Sequence, residues 1–332
     1  MPSDIHPYYI LGCILLRHTT LNFPLLRSQK GNSYQMAMAG LTYRSGVFLV
    51  LLAGSIWSTT GLMIRLIEEA QTWQILFYRS AAMTPILFLF IAYRSKNRLL
   101  ENIRKAGVPA AIGAMGLVFA FAGAIFSIQS TTVANAMFLF ATAPFFTAIL
   151  GWIILREPVR KATWIAIAVA GVGVGIMLLE GLAVGALAGN AAAVLSAMGF
   201  AVFTIALRWR KLEDMLPAVF LAGVFASFTA LAMCTLLDQT IILSPWDSGV
   251  SMFMGAFQLG LGLSIYTFGS KVVPAVELAL LSMTEVLLGP VWVWVFLGEI
   301  ASVWTFVGGA ILMVAIAGNA LSGIRRRPPK IM

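Results

Sequence analysis

Apolar stretches of about 20 residues recur along most of this chain, and they restrict its possible folds more than any other feature. A helix of about 20 apolar residues spans the hydrocarbon core of a bilayer. Lipid offers no hydrogen-bond partner to an open backbone, and the sequence shows no period-two strand pattern, so each stretch is predicted to form a transmembrane α-helix. Ten such stretches lie at approximately 45–66, 73–93, 107–127, 131–155, 162–180, 183–207, 216–237, 250–270, 274–297 and 302–323.

Composition excludes several other classes of protein. The chain is 60% hydrophobic and 11% charged, whereas a soluble domain has about 25% charged residues. The net charge of +9 does not indicate a nucleic-acid partner, because the basic residues are confined to short loops and the tail. The cysteines, Cys13 and Cys234, and the histidines, His6 and His18, are too few for a disulfide framework or a metal site. We therefore predict no cofactor.

Residues 139–157 and 281–299 are two loose copies of one segment. Each copy is the fourth apolar stretch of its half of the chain. Their letters agree at Thr142 and Thr284, Trp152 and Trp294, Leu155 and Leu297, and Glu157 and Glu299. A repeated unit with five membrane crossings lies upside down relative to its twin. The sequence thus predicts an all-α integral membrane protein of ten transmembrane helices in two inverted five-helix repeats, an architecture used by alternating-access carriers.

Charge in the loops predicts the orientation in the membrane. Cytoplasmic loops carry an excess of Lys and Arg, and 20 of the 22 Lys and Arg residues fall on the side of the two termini. The opposite side keeps Arg65 as its loop cation. Both termini are therefore predicted to be cytoplasmic, in a multi-pass protein of the plasma membrane (the inner membrane of a bacterium). The first half then enters the membrane from the cytoplasm and the second half from outside, which independently supports the inversion.

Four regions follow from this organisation. Residues 1–43 are predicted to be an N-terminal extension, either disordered or preceding the true start at Met36 or Met38, with an interfacial anchor helix as the alternative. Residues 44–181 form the first five-helix repeat, and 182–324 form the second, inverted one. Residues 325–332 form a basic cytoplasmic tail.

Four segments resemble the EamA-type permeases of the drug/metabolite transporter superfamily. They are LAGSIWSTTGLMIRL in the first stretch, FYRS in the second, ANAMFLFATAPFFTAILGWIILREP in the fourth and VELALLSMTEVLLGPVWVWVFLGE in the ninth. The resemblance covers about residues 45–323 and lies in the order and spacing of these segments. It implies a transporter of small metabolites or drugs, often an exporter. One departure is Glu285-Val286, where relatives commonly have Glu-Pro; the proline here is Pro290.

Glu285 is the foremost candidate for a functional side chain. It lies about eleven residues into its stretch, near the bilayer midplane at 1.5 Å per residue. A carboxylate there is costly unless it is protonated, paired or hydrated, so it is predicted to face the bundle interior. The equivalent residue of the first repeat is Ala143, so the acid occurs once. We expect it to couple transport to protons or to bind a cationic group; the alternative is a carboxylate held permanently by a polar partner.

Arg79 is the predicted partner of Glu285. It lies about six residues into the second stretch, roughly 9 Å deep, and differs from Glu285 by about 5 Å in depth. It is expected to pair with Glu285 or to bind a carboxylate of the substrate. The alternatives are snorkelling to the outer headgroups and a fixed structural contact.

Other side chains within the stretches supply polar or aromatic groups. Hydrogen bonds between helices explain the polar members almost as well as a binding role does. Aromatic rings would tolerate an apolar moiety, and a lone acid favours amines or zwitterions as substrates. The residues predicted to line a substrate cavity are Trp57, Asn135, Gln258, Tyr266 and Trp292.

Two further patterns predict structural contacts. Glu157 and Glu299 oppose the dipole of the helices that they end, so each is expected near a loop partner or a helix N-terminus. Small residues at every fourth position predict close helix packing within the monomer, with a homodimer left open. These small residues are Gly185, Gly189, Ala193, Ala197 and Ala201.

These features favour a secondary carrier, not an enzyme, whose partners are a small-molecule substrate and the lipid bilayer. No Walker phosphate loop is present, so a proton gradient acting through Glu285 is the expected energy source. Metabolite exchange without proton coupling would leave the same pattern. A membrane enzyme that processes lipids would show clustered Asp, His or Arg at the interface, and a channel would show a polar stripe along several helices. The sequence shows neither.

Overall fold

The computed structural model describes residues 42–95, 99–209, 216–270, 272–273 and 275–324. The predictions for the N-terminal extension, up to residue 41, and for the tail at 325–332 lie outside these residues. All regular structure in the described ranges is helical. The helices are α1 (Tyr43–Ser58), α2 (Thr60–Arg65), α3 (Thr72–Ser95), α4 (Leu99–Ser130), α5 (Val133–Phe140), α6 (Ala143–Ile154), α7 (Lys161–Ala183), α8 (Leu187–Trp209), α9 (Leu216–Leu236), α10 (Pro245–Phe253), a π-helix (Met254–Leu261), α11 (Gly262–Gly269), α12 (Ala275–Leu297) and α13 (Val303–Ile324).

These helices form the ten predicted spans. Three spans are assembled from consecutive pieces: α1 with α2, α5 with α6, and α10 with the π-helix and α11. Within the described ranges, nine spans are long and apolar enough to cross a membrane. The tenth is α12, where the apolar segment found is shorter, Met283–Leu297. The predicted class is confirmed: this is an all-α membrane protein with two inverted five-helix repeats.

The packing of the spans follows the inverted symmetry. The fifth span (α7) packs on the tenth (α13), and the second (α3) packs on the seventh (α9). The third span (α4) packs on the sixth (α8), while its counterpart, the eighth, packs on the first. Exchanging the two halves therefore maps each of these contacts onto itself or onto another observed contact.

Side-chain hydroxyls interrupt the first span about two-thirds of the way along it. The hydroxyls of Ser58, Thr59 and Thr60 each donate to a backbone carbonyl three residues earlier, all at 2.7 Å. Such bonds compete with the regular helical ladder and bend helices. The fourth span is interrupted in a similar way at Thr142, whose hydroxyl donates to Leu139 O at 2.6 Å. Apolar periodicity predicts both spans as continuous helices, and the structure shows each one broken.

Glycines bring the third and sixth spans into backbone contact. A Cβ on Gly199 would lie 2.6 Å from the carbonyl oxygen of Gly116, and a Cβ on Gly116 would lie 2.7 Å from that of Gly199. Further along the same pair of helices, a Cβ on Gly189 would lie 2.8 Å from the carbonyl carbon of Ser130. The small-residue pattern thus serves packing within one chain, because any side chain here would separate the two helices.

A buried carboxylate fixes the turn after the first span. Asp247, in the first turn of α10, is fully buried. It accepts hydrogen bonds from the backbone N–H groups of Glu68, Glu69 and Ala70 at 3.0, 3.0 and 2.9 Å. Three N–H donors and the positive end of the α10 dipole compensate its charge. The turn between the first two spans is therefore attached to the start of the eighth.

We expect Gly199→Ala to destabilise the protein by about 1–3 kcal/mol, because a methyl group at this contact forces α4 and α8 apart. The matched control is Gly171→Ala, since a Cβ on Gly171 meets nothing within 4 Å. Thermal unfolding of the purified protein in detergent measures both. Equal melting temperatures for the two variants would contradict the role of this contact.

We expect Asp247→Asn to cost about 2–3 kcal/mol of stability, because an amide nitrogen replaces one charged acceptor and faces backbone donors. Asp238→Asn removes the same charge from an exposed position and serves as the control. The difference between their melting temperatures in detergent is the measurement. A melting temperature for Asp247→Asn as high as that of the control would mean that the carboxylate is dispensable.

Candidate functional site

Arg79 on α3 is a buried cation with unused hydrogen-bond donors. Its side chain is 5% exposed, and its Nε and Nη1 have no hydrogen-bond partner among the described residues. The guanidinium carbon lies 5.2 Å from the centre of the Phe121 ring, a cation–π contact. Gly255 in the π-helix packs on the backbone of Arg79, where a Cβ would overlap its carbonyl oxygen. The arginine is thus held inside the bundle, away from the headgroups.

Glu285 on α12 is partly buried, and its charge interacts electrostatically with that of Arg79. In the described part of the chain the two side chains form no direct ion pair and no hydrogen bond, although both lie within the bundle. Gly54 of α1 faces this part of α12, since a Cβ there would lie in ordinary contact, 3.8 Å from the backbone nitrogen of Glu285. The structure therefore places an acidic and a basic side chain inside the bundle, with no direct contact between them among the described residues.

The predicted aromatic residues gather at the break between α1 and α2. Trp57 donates from Nε1 to the carbonyl oxygen of Gln258 at 2.8 Å, and its ring centre lies 5.3 Å from that of Tyr266. Trp292, on the same helix as Glu285, donates from Nε1 to Ser58 Oγ at 2.8 Å. These indoles are anchored by their nitrogens, so their apolar faces have defined positions.

Gln258 lies in the π-helix and is used for contacts between spans. Its Nε2 donates to Thr59 Oγ1 at 2.6 Å, and its Oε1 lies 3.3 Å from Thr60 Oγ1. The side chain is 1% exposed. A π-helical segment re-aims side chains relative to a regular helix and is common at functional sites. Here it brings a glutamine to the two threonines that interrupt the first span.

Asn135 lies apart from this group, towards the end of the bundle that carries Glu299. Its Nδ2 donates to Asn190 Oδ1 at 2.7 Å, and its Oδ1 has no hydrogen-bond partner among the described residues. It borders a polar cavity of about 570 Å³ that Arg65, Glu180 and Glu299 also line. The seven predicted residues thus divide into the charged pair, the group around the α1–α2 break, and Asn135 near this cavity.

The two glutamates that end the fourth and ninth spans differ in their partners. Glu299 accepts from Arg65 Nε at 2.9 Å and from the N–H of Val133, the first residue of α5, at 2.6 Å. This is the helix N-terminus that was predicted. Glu157 accepts from Arg208 Nη2 at 2.5 Å, a cation in the last turn of α8 that the prediction did not include.

Both glutamates owe their position to the same chain reversal. The N–H of Glu157 bonds to Gly151 O, and the N–H of Glu299 bonds to Val293 O, each across six residues at 3.2 Å. The residue before each glutamate has positive φ, +54° at Arg156 and +67° at Gly298. A residue of positive φ just past the last helical turn is a left-handed helix end, common at helix C-termini. Gly298 takes it without strain, and Arg156 adopts it despite its side chain.

Sequence reasoning did not assign a role to Arg65 or Arg208. The sequence contains one indication that the two arginines are equivalent positions of the repeat. They are 143 residues apart, within one residue of the 142 that separate the two glutamates. A second feature, an apolar groove of about 1260 Å³ along α4 and α8, also escaped prediction. Neither Arg79 nor Glu285 lines that groove.

Comparison with known proteins supports one family. The pseudopaline exporter CntI of Pseudomonas aeruginosa (strain UCBPP-PA14) is 24% identical over 297 residues, which cover 82% of this chain and 94% of the exporter. Human solute carrier family 35 member G1 is 24% identical over 312 residues, 85% of this chain and 79% of that protein. A solved crystal structure superimposes with a TM-score of 0.60 at 16% identity, covering 86% of this chain and 100% of that one. That likeness shows the fold.

The model of the EamA-like transporter family matches residues 44–179 and again residues 187–321. Each match covers one five-helix repeat, and together they cover most of the chain. The resemblance found in the sequence is thereby confirmed, and the protein is a multi-pass membrane transporter. The chain belongs to the EamA-like transporter family.

Proposed function

We propose that this protein is a secondary-active carrier that exports small metabolites or drugs by alternating access. The two inverted repeats provide two halves that can exchange conformations, so that a central site opens to one side and then to the other. The predicted orientation places the Glu157 end of the bundle in the cytoplasm and the Glu299 end outside, with the bacterial inner membrane as the expected location. One relative at 24% identity is named as an exporter, which favours the outward direction.

The observation that carries the proposal is the separated charge pair of Arg79 and Glu285. An ionised group in hydrocarbon is costly and is retained where it pairs, binds a solute or conducts ions. The free N–H groups of Arg79 suit a carboxylate or phosphate, and the Glu285 carboxylate suits an ammonium group or a proton. We infer that the preferred solute carries both charges, a zwitterion that bridges the two side chains.

The aromatic residues set the apolar part of the proposed substrate. Ring surfaces for an apolar group are offered by Trp57, Tyr266 and Trp292, the last on the same helix as Glu285. The indole nitrogens of both tryptophans already donate hydrogen bonds within the protein. Rings held in this way offer apolar area at little cost in conformational freedom. The site would therefore accept an apolar or aromatic substituent on the zwitterion.

Proton coupling through Glu285 is the proposed driving mechanism. A proton can neutralise the Glu285 carboxylate when no cationic group of a solute does so. Because proton and solute replace each other at this carboxylate, the proton gradient can drive movement of the solute against its own gradient. Exchange of two metabolites without protons is the second candidate, since the same charge pair could hold each metabolite in turn. A lipid-processing enzyme has less support, because the relatives compared are named as transporters.

We expect Glu285→Gln to lower transport by about tenfold or more, because a charge-assisted hydrogen bond is worth about 1.5–3 kcal/mol and 1.4 kcal/mol is a factor of about ten. The residual transport should no longer respond to an imposed pH gradient. The assay is uptake into proteoliposomes with and without the gradient. Glu68→Gln, at an exposed position, is the control. Unchanged flux and unchanged pH response in Glu285→Gln would refute proton coupling at this residue.

We expect Arg79→Lys to weaken solute binding by about tenfold although it keeps the charge, because an ammonium group cannot reproduce the planar donors of a guanidinium. Amines without a carboxylate should be affected less than zwitterions. A thermal-shift screen of amino acids, nucleosides and cationic drugs measures this, with the exposed Arg156→Lys as control. If zwitterions and simple amines lose binding equally, Arg79 does not contact the substrate's anionic group.

Reconstitution separates the functional classes. Saturable flux that depends on a gradient supports the carrier, product formation supports the enzyme, and conductance that does not saturate supports a channel. The unmodified chain should give the first result with at least one zwitterion of the screen.

A further inference from the structure

The ion pair at the Glu299 end holds a turn of another part of the bundle. Arg65, at the end of the first span, donates from Nη2 to the carbonyl oxygen of Thr131 at 2.7 Å, and Glu299, at the end of the ninth, accepts from the N–H of Val133. Thr131 and Val133 flank the turn between the third and fourth spans. Each member of the ion pair is thus hydrogen-bonded to one side of the same turn. We call this arrangement the outer clamp.

The opposite end of the bundle carries the symmetry-related ion pair. Arg208 ends the sixth span and Glu157 follows the fourth, just as Arg65 ends the first span and Glu299 follows the ninth. The two pairs are exchanged by the inverted repeat, so one lies at each mouth of the bundle. We call the Arg208–Glu157 pair the inner pair.

The two pairs differ in burial. In the outer clamp the side chains of Arg65 and Glu299 are 28% and 20% exposed, whereas in the inner pair those of Arg208 and Glu157 are 48% and 42% exposed. The outer clamp is therefore the more buried of the two pairs, which is expected of the mouth that is closed more tightly.

We propose that the outer clamp is the closed outer gate of this carrier and that the inner pair is its inner counterpart, the two tightening alternately during transport. This inference rests on the alternating-access function proposed above and assigns residues to its gates. Opening the outer mouth requires the turn at Thr131–Val133 to leave Arg65 and Glu299. The polar cavity of about 570 Å³, which touches Arg65, Thr131 and Glu299, lets water replace the broken bonds.

Val133→Pro tests the hydrogen bond from the turn to Glu299. It removes the N–H that Glu299 accepts and keeps the ion pair, and it replaces a buried isopropyl group with the proline ring. The backbone permits the change, because Val133 is the first helical residue, where proline is favoured, and Thr132 before it is extended, with φ −66° and ψ 145°. The matched control is Lys161→Pro, which places proline at the first residue of α7 after Arg160 with φ −66° and ψ 148°. Glu299→Gln is a second variant, which keeps the side-chain volume and removes the charge.

The readout is the accessibility of a reporter cysteine from each side of the membrane. Thr284→Cys, beside Glu285, is introduced into a chain with Cys13→Ala and Cys234→Ala, and a membrane-impermeant thiol reagent is added outside or inside. Val133→Pro and Glu299→Gln should raise the rate of outside labelling by about tenfold, and Lys161→Pro should not. Labelling rates in Val133→Pro and Glu299→Gln that match the control would overturn the assignment of the outer gate.

The inner pair should respond in the opposite sense. Glu157→Gln or Arg208→Gln should raise inside labelling and lower outside labelling, a shift that a merely structural role would not produce. Exchanging the charges of the outer clamp adds a sharper test. Arg65→Glu with Glu299→Arg should not recover the original labelling pattern, because Arg cannot accept from Val133 and Glu cannot donate to Thr131. Recovery would show that simple ion pairing, without the hydrogen bonds to the turn, is sufficient.

The labelling assay also keeps this inference separate from the proposed function. It reports the conformation of the chain whether or not a transported solute has been identified. Opposite shifts in labelling without solute flux in the unmodified chain would support the gates and count against the carrier. Flux with no shift in any variant would support the carrier and refute these gates.

Discussion

Polar groups inside a lipid bilayer must find their partners within the protein, and the arrangement of this bundle depends on that constraint. At the break in the first span, side chains bond to the irregular backbone. The hydroxyl groups of Ser58, Thr59 and Thr60 donate to backbone carbonyls. Gln258 then connects that break to the π-helix. The irregular backbone therefore finds its partners within the bundle.

The same constraint makes the charged pair at the centre informative. Two donors of the Arg79 guanidinium, Nε and Nη1, have no partner among the described residues. A buried cation without full pairing is costly, which fits a group kept for binding. The proposed zwitterionic solute would supply the missing partners during transport.

Symmetry and asymmetry have different roles in this structure. The inverted repeat gives two equivalent halves, equivalent left-handed helix ends and equivalent arginine–glutamate pairs at the two mouths. Equivalent halves can exchange conformations at little cost in free energy, as alternating access requires. The acid at Glu285, opposite Ala143 in the first repeat, breaks the symmetry, so the proposed coupling site is single although the gates are paired.

The sequence by itself determined the membrane environment, the ten spans, their inversion and the family. Each of these depends on the lengths of the apolar stretches and on the internal repeat, and both can be read directly from the sequence. It also predicted a helix N-terminus as a possible partner, which the structure shows at Glu299, because helix dipoles act locally. The seven proposed site residues, Glu285 and Arg79 among them, stay predictions.

Only the tertiary structure decided which distant groups meet. Regular helical periodicity hides the breaks at Thr59 and Thr142, since a hydroxyl can bond its own backbone or another helix. Likewise, Arg65 reads in the sequence as an ordinary loop cation. Its contacts with Glu299 and Thr131 join residues 234 and 66 positions away, and such pairings are set by how the spans pack.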